Sequence, residues 1–419
     1  MLTNSFAMLT QLDVYHLAGM FWYALVIEIP RFTLGLAVVS GCFLLKPWRP
    51  PAVLPSNTRI SVLFPGHNEG SALRRAVIAL GEQTRRNLQI VVVDDGSTDD
   101  MARIGGQLKA EGLIDVFVST GLRGGKSAAT NLGLTFCTGE LVVVGDVDTS
   151  FDRDAIERIL EPFGDPLVGC VSGNIGVRNY RGSIIAKFQA IEYLITISLG
   201  RRLSDLLGML MISSGAFAAF RREAVTSVGG WDVGPGEDAN MTLKLRRAGW
   251  KVRFAPEAWA LTDVPESALA LFKQRRRWNA SFVRVRLDRF RAMLNPFQRN
   301  FSILNTLGTI DLVFFQAILP TMFLVYIVSC INYYGSFLWV ILIGVNTFYV
   351  TTTTIVFICA VATAGSYGRL SLLPYVIGFS LFRAYVMRVL MVWTYIDEFL
   401  LRTSYRDTFV PSRVLRRKP

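Results

Sequence analysis

The sequence predicts an α/β domain built on a mainly parallel sheet and flanked by transmembrane α-helices. Short β-rich runs at 59–64, 90–93 and 141–144 alternate with helix-patterned stretches, the rhythm of βαβ units. Two of these runs end directly in acids. Ile90-Val91-Val92-Val93 leads into Asp94-Asp95-Gly96, and Leu141-Val142-Val143-Val144 leads through Gly145 into Asp146-Val147-Asp148. Carboxylates at the C-terminal tips of buried strands stand where an open α/β sheet places a ligand. Hydrophobic residues make up 51% of the 419, the mean hydropathy is +0.38, and the excess falls in four stretches outside the middle of the chain.

The first stretch, 14–45, is almost continuously apolar, broken by Glu28, Pro30 and Arg31. It is long enough for one transmembrane helix, which needs roughly 20 residues. Asp13 rather than a basic leader precedes it, which argues against a cleaved signal peptide. Lys46-Pro47-Trp48-Arg49 closes it with a basic and aromatic anchor expected on the cytoplasmic side, so 1–50 reads as an N-terminal membrane segment. Residues 57–295 follow as the α/β domain, with helices expected over 71–83, 100–111, 128–134 and 239–247 and a further strand at 168–171. The stretch 184–211 is apolar but carries Lys187, Glu192, Arg201, Arg202 and Asp205. It reads as amphipathic helices at the membrane surface, with a buried domain helix as the alternative.

Three more apolar stretches, 307–331, 337–362 and 372–396, make 300–400 a C-terminal transmembrane region, with Asn332-Tyr333-Tyr334-Gly335-Ser336 as a hairpin. Arg383 and Arg388 lie in the last of these. Charges at membrane depth face a protein interior or a watery path, unless the helix lies partly in the interface. The basic tail, 401–419, predicts a cytoplasmic C-terminus, whereas four spans with the central domain inside put it outside. The two inferences conflict, which requires one re-entrant or interfacial segment.

The net charge of +12 does not point to nucleic acid, because Lys and Arg concentrate beside the apolar stretches and no nucleic-acid-binding signature is present. Five cysteines are scattered without paired spacing, which favours small apolar residues in a reducing compartment over disulfides or a zinc site. With two histidines in the whole chain, carboxylates must carry the chemistry.

Pro65-Gly66-His67-Asn68-Glu69-Gly70 is a glycine-flanked turn opening a helix, a natural seat for a nucleotide, although any such turn is polar and glycine-rich. Asp94 and Asp95 can accept hydrogen bonds from a base or ribose; Ser97 or Thr98 can also cap the next helix. Gly124-Gly125-Lys126-Ser127 resembles the end of a phosphate loop, but Thr120 stands where a Walker motif needs glycine. Lys126 still reaches a phosphate as a point charge.

Asp146 and Asp148, spaced by two, fall on one face of an extended backbone and suit Mg²⁺ or Mn²⁺ holding a diphosphate. Ser214-Gly215 lets the backbone approach a sugar closely. Glu237-Asp238 offers a general base on an acceptor hydroxyl, Asp238, with Glu237 as support; the competing reading is a pair of acids at a helix N-terminus. Gln274-Arg275-Arg276-Arg277-Trp278 joins an amide, a guanidinium fork for phosphate and an indole for a sugar ring. The later Arg284, Arg286, Arg289 and Arg291 read as a membrane-surface face.

In this order, Asp-Asp-Gly, Asp-X-Asp, Gly-Glu-Asp and Gln-X-X-Arg-Trp resemble the motifs of the processive, membrane-integrated family 2 glycosyltransferases. That group includes the cellulose, hyaluronan, chitin-oligosaccharide and poly-N-acetylglucosamine synthases. The resemblance covers about 57–280, and the chain departs from it by carrying Gly236 where many members have Thr. It implies a GT-A-like, Rossmann-like domain in the cytoplasm, a multi-pass protein of the inner (plasma) membrane, and Mg²⁺ or Mn²⁺ as cofactor.

By the same resemblance, Glu69, Asp94, Asp95, Lys126, Asp146, Gln274 and Arg277 would hold the UDP-sugar donor, and Asp148 the metal. Ser214, Gly215, Glu237 and Trp278 would meet the growing polysaccharide acceptor, and Asp238 would be the base. The reaction implied is inverting, processive extension of a β-linked glycan of N-acetylglucosamine or glucose type with export across the bilayer, and it leaves room for an accessory subunit or homo-oligomer. Two alternatives stand beside it: a non-processive transferase acting on a lipid phosphate carrier, and a catalytically dead membrane scaffold or transporter.

Overall fold

The computed structural model describes residues 13–30, 33, 35, 54, 55, 57–234, 236–290, 293, 295, 297 and 301–401. They form two compact units, divided between Trp48 and Arg49, Thr309 and Ile310, and Ile396 and Asp397. Helix α1 (Val14–Glu28) opens the described chain and belongs to the helical unit.

The α/β unit is organised by strands β1 (Ile60–Gly66), β2 (Leu88–Asp94), β3 (Val116–Ser119) and β4 (Leu141–Gly145). β1 and β4 are buried along their whole length, as expected of parallel strands covered on both faces. Between them run α2 (Gly70–Gly81), α3 (Met101–Ala110) and α4 (Lys126–Leu134). Helix α2 buries Leu73, Ala76, Val77 and Leu80, a stripe at helical spacing. After β4 come β5 (Ser150–Phe151), α5 (Ala155–Leu160), β6 (Val168–Val177), α6 (Ile184–Tyr193), α7 (Gly200–Leu206), β7 (Phe217–Arg221), α8 (Arg222–Ser227), α9 (Glu237–Arg247), β8 (Lys251–Thr262) and α10 (Ala268–Phe282).

The eight strands described are ordered β3-β2-β1-β4-β7-β6-β8-β5. The first four are mutually parallel, but β7 runs antiparallel to both β4 and β6, and β5 antiparallel to β8. The sheet is therefore mixed, more so than the mainly parallel sheet expected. The direction of a five-residue strand such as Phe217-Ala218-Ala219-Phe220-Arg221 is not encoded in its own pattern. This reversal positions the site. Gly66 lies opposite Asp94, Leu63 opposite Val144, and Gly145 opposite Phe217. The chain thus enters β7 at the edge where β1, β2 and β4 leave, and four loops meet there. β1 is also where the strand order turns back, the crevice in which open α/β sheets bind ligands.

Helix α6 begins on a Ser183 cap, which accepts from the Ala186 amide at 3.0 Å, and buries Ala186, Gln189 and Ile191. Gln189 Nε2 donates to the Pro265 carbonyl at 2.7 Å. The stretch 184–211 thus includes a helix packed within the domain, the second of the two readings its composition allowed.

The helical unit combines α1 with α11 (Ile303–Tyr333, from residue 310), α12 (Leu338–Thr363) and α13 (Leu370–Leu401, to residue 396). These last three are long and apolar enough to cross a membrane. Val325, Val328, Trp339 and Ile343 are exposed on them, as lipid-facing side chains would be. The expected N-terminal span lies partly outside the described residues, and its expected cytoplasmic anchor, 46–49, and the basic tail, 402–419, lie outside them.

Inside this unit Tyr23 packs between Phe323 and Tyr326, and the Tyr326 hydroxyl donates to the Met20 carbonyl at 2.7 Å. Arg388, expected to face an interior or a watery path, meets fully buried Glu28. Its Nη2 donates to Glu28 Oε1 at 2.8 Å, and Tyr349 donates to the same oxygen at 2.9 Å. The guanidinium also lies 4.2 Å from the Phe323 ring centroid.

Two adjacent glycines on α3 test the packing of the parallel half. A side chain at Gly105 would meet the Phe117 ring at 2.1 Å, whereas one at Gly106 meets nothing within 4 Å. Gly105→Ala is expected to cost about 1–3 kcal/mol by overpacking, and Gly106→Ala to gain up to about 1 kcal/mol of helix propensity. Thermal denaturation of the purified variants in detergent should move the midpoint down for the first and up for the second.

Candidate active site

The converging strand ends bring seven of the sequence-predicted residues into one charged corner: Glu69, Lys126, Asp146, Asp148, Gly215, Glu237 and Asp238. Lys126 sits at its centre, on the first turn of α4. Its ammonium pairs with Asp146 Oδ1 and donates to the Gly215 carbonyl at 3.0 Å. Burial opposes this charge, but Asp146, Glu237 and Asp238 surround it and raise the Lys126 pKa above its ordinary value.

Gly215 is the spacer. A side chain there would lie 3.6 Å from both Lys126 Nζ and Asp238 Oδ2, closing the gap between ammonium and acid. The loop before it is held from two sides. The Ser213 amide donates to Thr242 Oγ1 on α9 at 2.9 Å, and the Ser214 amide to Ser172 Oγ on β6 at 3.1 Å.

The Asp146–Asp148 segment is not extended. β4 ends at Gly145, and the Thr149 amide donates to the Asp146 carbonyl at 3.1 Å, closing a turn. The alternation of side chains in a strand therefore does not place the two carboxylates. The turn does, with Val147 buried between them. Arg178, one residue past β6, donates to the Asp148 carbonyl at 2.9 Å and pairs with Asp263 at 2.6 Å, bracing that turn.

Negative charge is in excess here. Burial, then the nearby Asp146 and Asp148, push the Glu69 carboxyl up to about 8, and its Oε2 is buried without a hydrogen-bond partner. Burial and Asp146 push Asp148 up as well; burial and Asp238 do the same to Glu237. Among the described residues no three His, Cys, Asp or Glu side chains form a ready-made metal cage. The donor set nevertheless fits a hard divalent cation: oxygen ligands in surplus, one of them orphaned, able to complete a shell shared with phosphates and water.

Asp94 and Asp95 sit beneath this corner. Asp94, 1% exposed, accepts from the Ser97 amide at 2.9 Å and the Ser119 hydroxyl at 2.6 Å. Asp95, 4% exposed, accepts from the Gly124 and Gly125 amides at 2.6 and 2.7 Å. Both carboxylates thus tie loops, and Asp95 fixes the turn that launches Lys126. His67 is held in turn, with Nδ1 3.0 Å from the Asp95 carbonyl.

Glu237 and Asp238 open α9 behind Gly236, which has a left-handed φ of 83°. A side chain at Gly236 would meet Ser281 Cβ at 2.8 Å. Close approach to the end of α10 and positive φ together explain why glycine stands here. On α10, Gln274 and Trp278 stand one turn apart, Trp278 is 40% exposed, and Arg277 is half-buried beside them.

The sequence did not single out Arg178, Asp263, Ser172, Thr242 or Arg201 for the site. By sequence Arg201 reads as part of an amphipathic surface helix, yet it donates to Ser172 Oγ at 3.0 Å, and burial lowers its pKa to about 10 against the pull of Asp238. No local signal marks it, since its partner lies 29 residues away on β6.

Glu69 gives the corner a signature in pH. The folded state keeps this proton up to about 8, whereas an unfolded glutamate releases it near 4.5. The folded state therefore binds more protons over that window, and stability falls as pH rises through it. Without nucleotide or divalent cation, Glu69→Gln should melt above the unsubstituted protein at about pH 9, with the gap closing toward about pH 5. Parallel thermal melts at the two values check it; equal gaps would refute a buried, proton-holding Glu69.

Residues 141–395 match the model of the glycosyl transferase family group 2. Over 221 residues the chain is 33% identical to the poly-beta-1,6-N-acetyl-D-glucosamine synthases of Staphylococcus aureus (strain COL) and Staphylococcus epidermidis, covering 52% of this chain and 53% of each relative. The chain thus spans about half the length of the curated relatives it matches. Among solved structures, the mannosyltransferase PcManGT from Pyrobaculum calidifontis in complex with GDP-Man and Mn²⁺ aligns at a TM-score of 0.60, covering 91% of this chain and 99% of that chain, with 19% identity, a likeness of fold. With a mixed, GT-A-like sheet, a family match over more than half its length and, among the described residues, three helices long and apolar enough to cross a membrane, the chain belongs to the glycosyl transferase family group 2.

Proposed function

We propose that the chain is a polysaccharide synthase that moves sugar from a UDP-sugar onto the end of a growing β-linked glycan, processively and with inversion. The observation that carries this reading is the placement of Asp238 across Gly215 from Lys126, where a base and a phosphate-binding cation face one gap. The names of the synthase relatives favour N-acetylglucosamine as the sugar.

In the reaction Asp238 accepts the proton of the acceptor hydroxyl. The freed oxygen forms a bond to the anomeric carbon from the face opposite UDP, and the bond to the diphosphate breaks with its electron pair leaving on UDP. Attack from the opposite face inverts the centre and needs no covalent enzyme intermediate. Lys126 and Arg277 hold the diphosphate by charge. Asp94 and Asp95 shape the floor of the uridine seat, Gln274 and Trp278 meet the donor and acceptor ends, and Ser214, Gly215 and Glu237 border the acceptor. Asp148, with Asp146 and Glu69 beside it, would hold Mg²⁺ or Mn²⁺, which when bound offsets the charge of the leaving diphosphate. In this reading residues 57–295 form a cytoplasmic catalytic domain, and the helices of 300–400 anchor it in the inner membrane and pass the polymer outward.

Purified protein in detergent, given radiolabelled UDP-N-acetylglucosamine, should produce high-molecular-weight product. Asp238→Asn should lower the rate by about 10²–10⁴-fold, the usual worth of a positioned base. A single low-molecular-weight glycolipid would instead mark a lipid-carrier transferase. Chelation with EDTA should abolish incorporation, and added Mn²⁺ or Mg²⁺ should restore it; full activity in EDTA would remove the metal from the proposal.

A further inference from the structure

Trp278 does not stand alone on α10. The Arg275 guanidinium lies 4.3 Å from the Trp278 ring centroid, close enough for a cation–π contact. Arg275 is only 7% exposed and is anchored from outside its own helix: its Nη2 donates to Glu192 Oε2 on α6 at 2.6 Å. One face of the indole is thereby occupied by a buried cation, while 40% of Trp278 stays open. An indole free to rotate would lose entropy on stacking against a sugar; one already clamped does not.

Along the same helix, Gln274 Oε1 and Asn279 Nδ2 are buried without hydrogen-bond partners, and so is Arg275 Nε. A polar stretch with an acceptor and two donors unspent, beside a half-open aromatic face, is suited to a hydroxyl-rich ring.

We infer that Glu192 and Arg275 are positioning residues for the acceptor: Glu192 fixes Arg275, and Arg275 fixes the plane of Trp278 against which the terminal sugar of the glycan stacks. Neither residue touches the donor. The pair acts through Trp278, across 83 residues of sequence that separate the two ends of the ion pair. This inference rests on the transfer reaction proposed above.

The test is steady-state transfer from UDP-N-acetylglucosamine to a soluble β-1,6-linked N-acetylglucosamine pentamer, with donor and acceptor varied separately. Glu192→Ala is expected to raise the acceptor KM by about tenfold, the scale of one lost stacking contact, with the donor KM within about twofold of its original value. Glu192→Asp, which keeps the charge, should recover part of the loss. The double variant Glu192→Ala/Trp278→Ala should be no worse than Trp278→Ala alone, because residues acting in series do not add. Additive losses, or a donor KM that rises with the acceptor KM, would overturn the positioning role and leave a merely structural ion pair. Should Glu192→Ala fail to fold, Glu192→Gln read by the same cycle decides the matter. No transfer by the unsubstituted protein would instead count against the synthase reading itself.

Discussion

The contact between the Lys126 ammonium and the Asp146 carboxylate fastens together the segments that the sheet brings to one edge. Asp146 follows β4, Lys126 starts α4, and the Gly215 carbonyl that shares the ammonium belongs to the loop entering β7. The Asp95 carboxylate in turn fixes the two amides just before Lys126. The ends of β2 and β4, the entry to β7 and the start of α4 are thus gathered around one cation, and the register of β7 on β4 lets them come so close. Because the reversed strand enters where the parallel ones leave, small residues of its loop can face acids of α9 across a narrow gap.

That arrangement leaves more carboxylates than cations. A buried anion is costly unless paired, and burial with neighbouring acids pushes the Glu69 carboxyl up to about 8 and those of Asp148 and Glu237 upward as well. A diphosphate would add further negative charge, so the same corner that receives phosphate through Lys126 has oxygen ligands to spare for a counterion. Ligand binding and fold stability are coupled at this point, since whatever compensates the acids also relieves the fold.

The strand tips were readable because four apolar residues ending in aspartate leave few alternatives, and α9 and α10 carry dense local motifs. What local pattern could not convey was direction and long-range pairing. The antiparallel run of Phe217–Arg221 has no signature of orientation, and the turn after Gly145 mimics a strand in its spacing. Arg201 and Glu192 look like the polar edge of an amphipathic helix until their partners on β6 and α10 are known. Asp94 and Asp95 were visible as acids near a ligand site; their work of tying loops emerged only from the amides of Ser97, Gly124 and Gly125. Gly236, a departure from its motif by sequence, is explained by Ser281 pressed against it.

The buried pair of Glu28 and Arg388 bears on how the protein is made. Glu28 leaves the ribosome 360 residues before Arg388, and 321 before Tyr349. At roughly 5–20 residues per second the first helix waits about 20–70 s for its countercharge. During that interval a carboxyl group on an apolar helix has no final partner, which disfavours its settling alone in hydrocarbon. Assembly of the helical unit is therefore long-range: α1 gains its countercharge only from a helix made much later, and without residue 388 Glu28 would have to stay protonated to rest in an apolar setting.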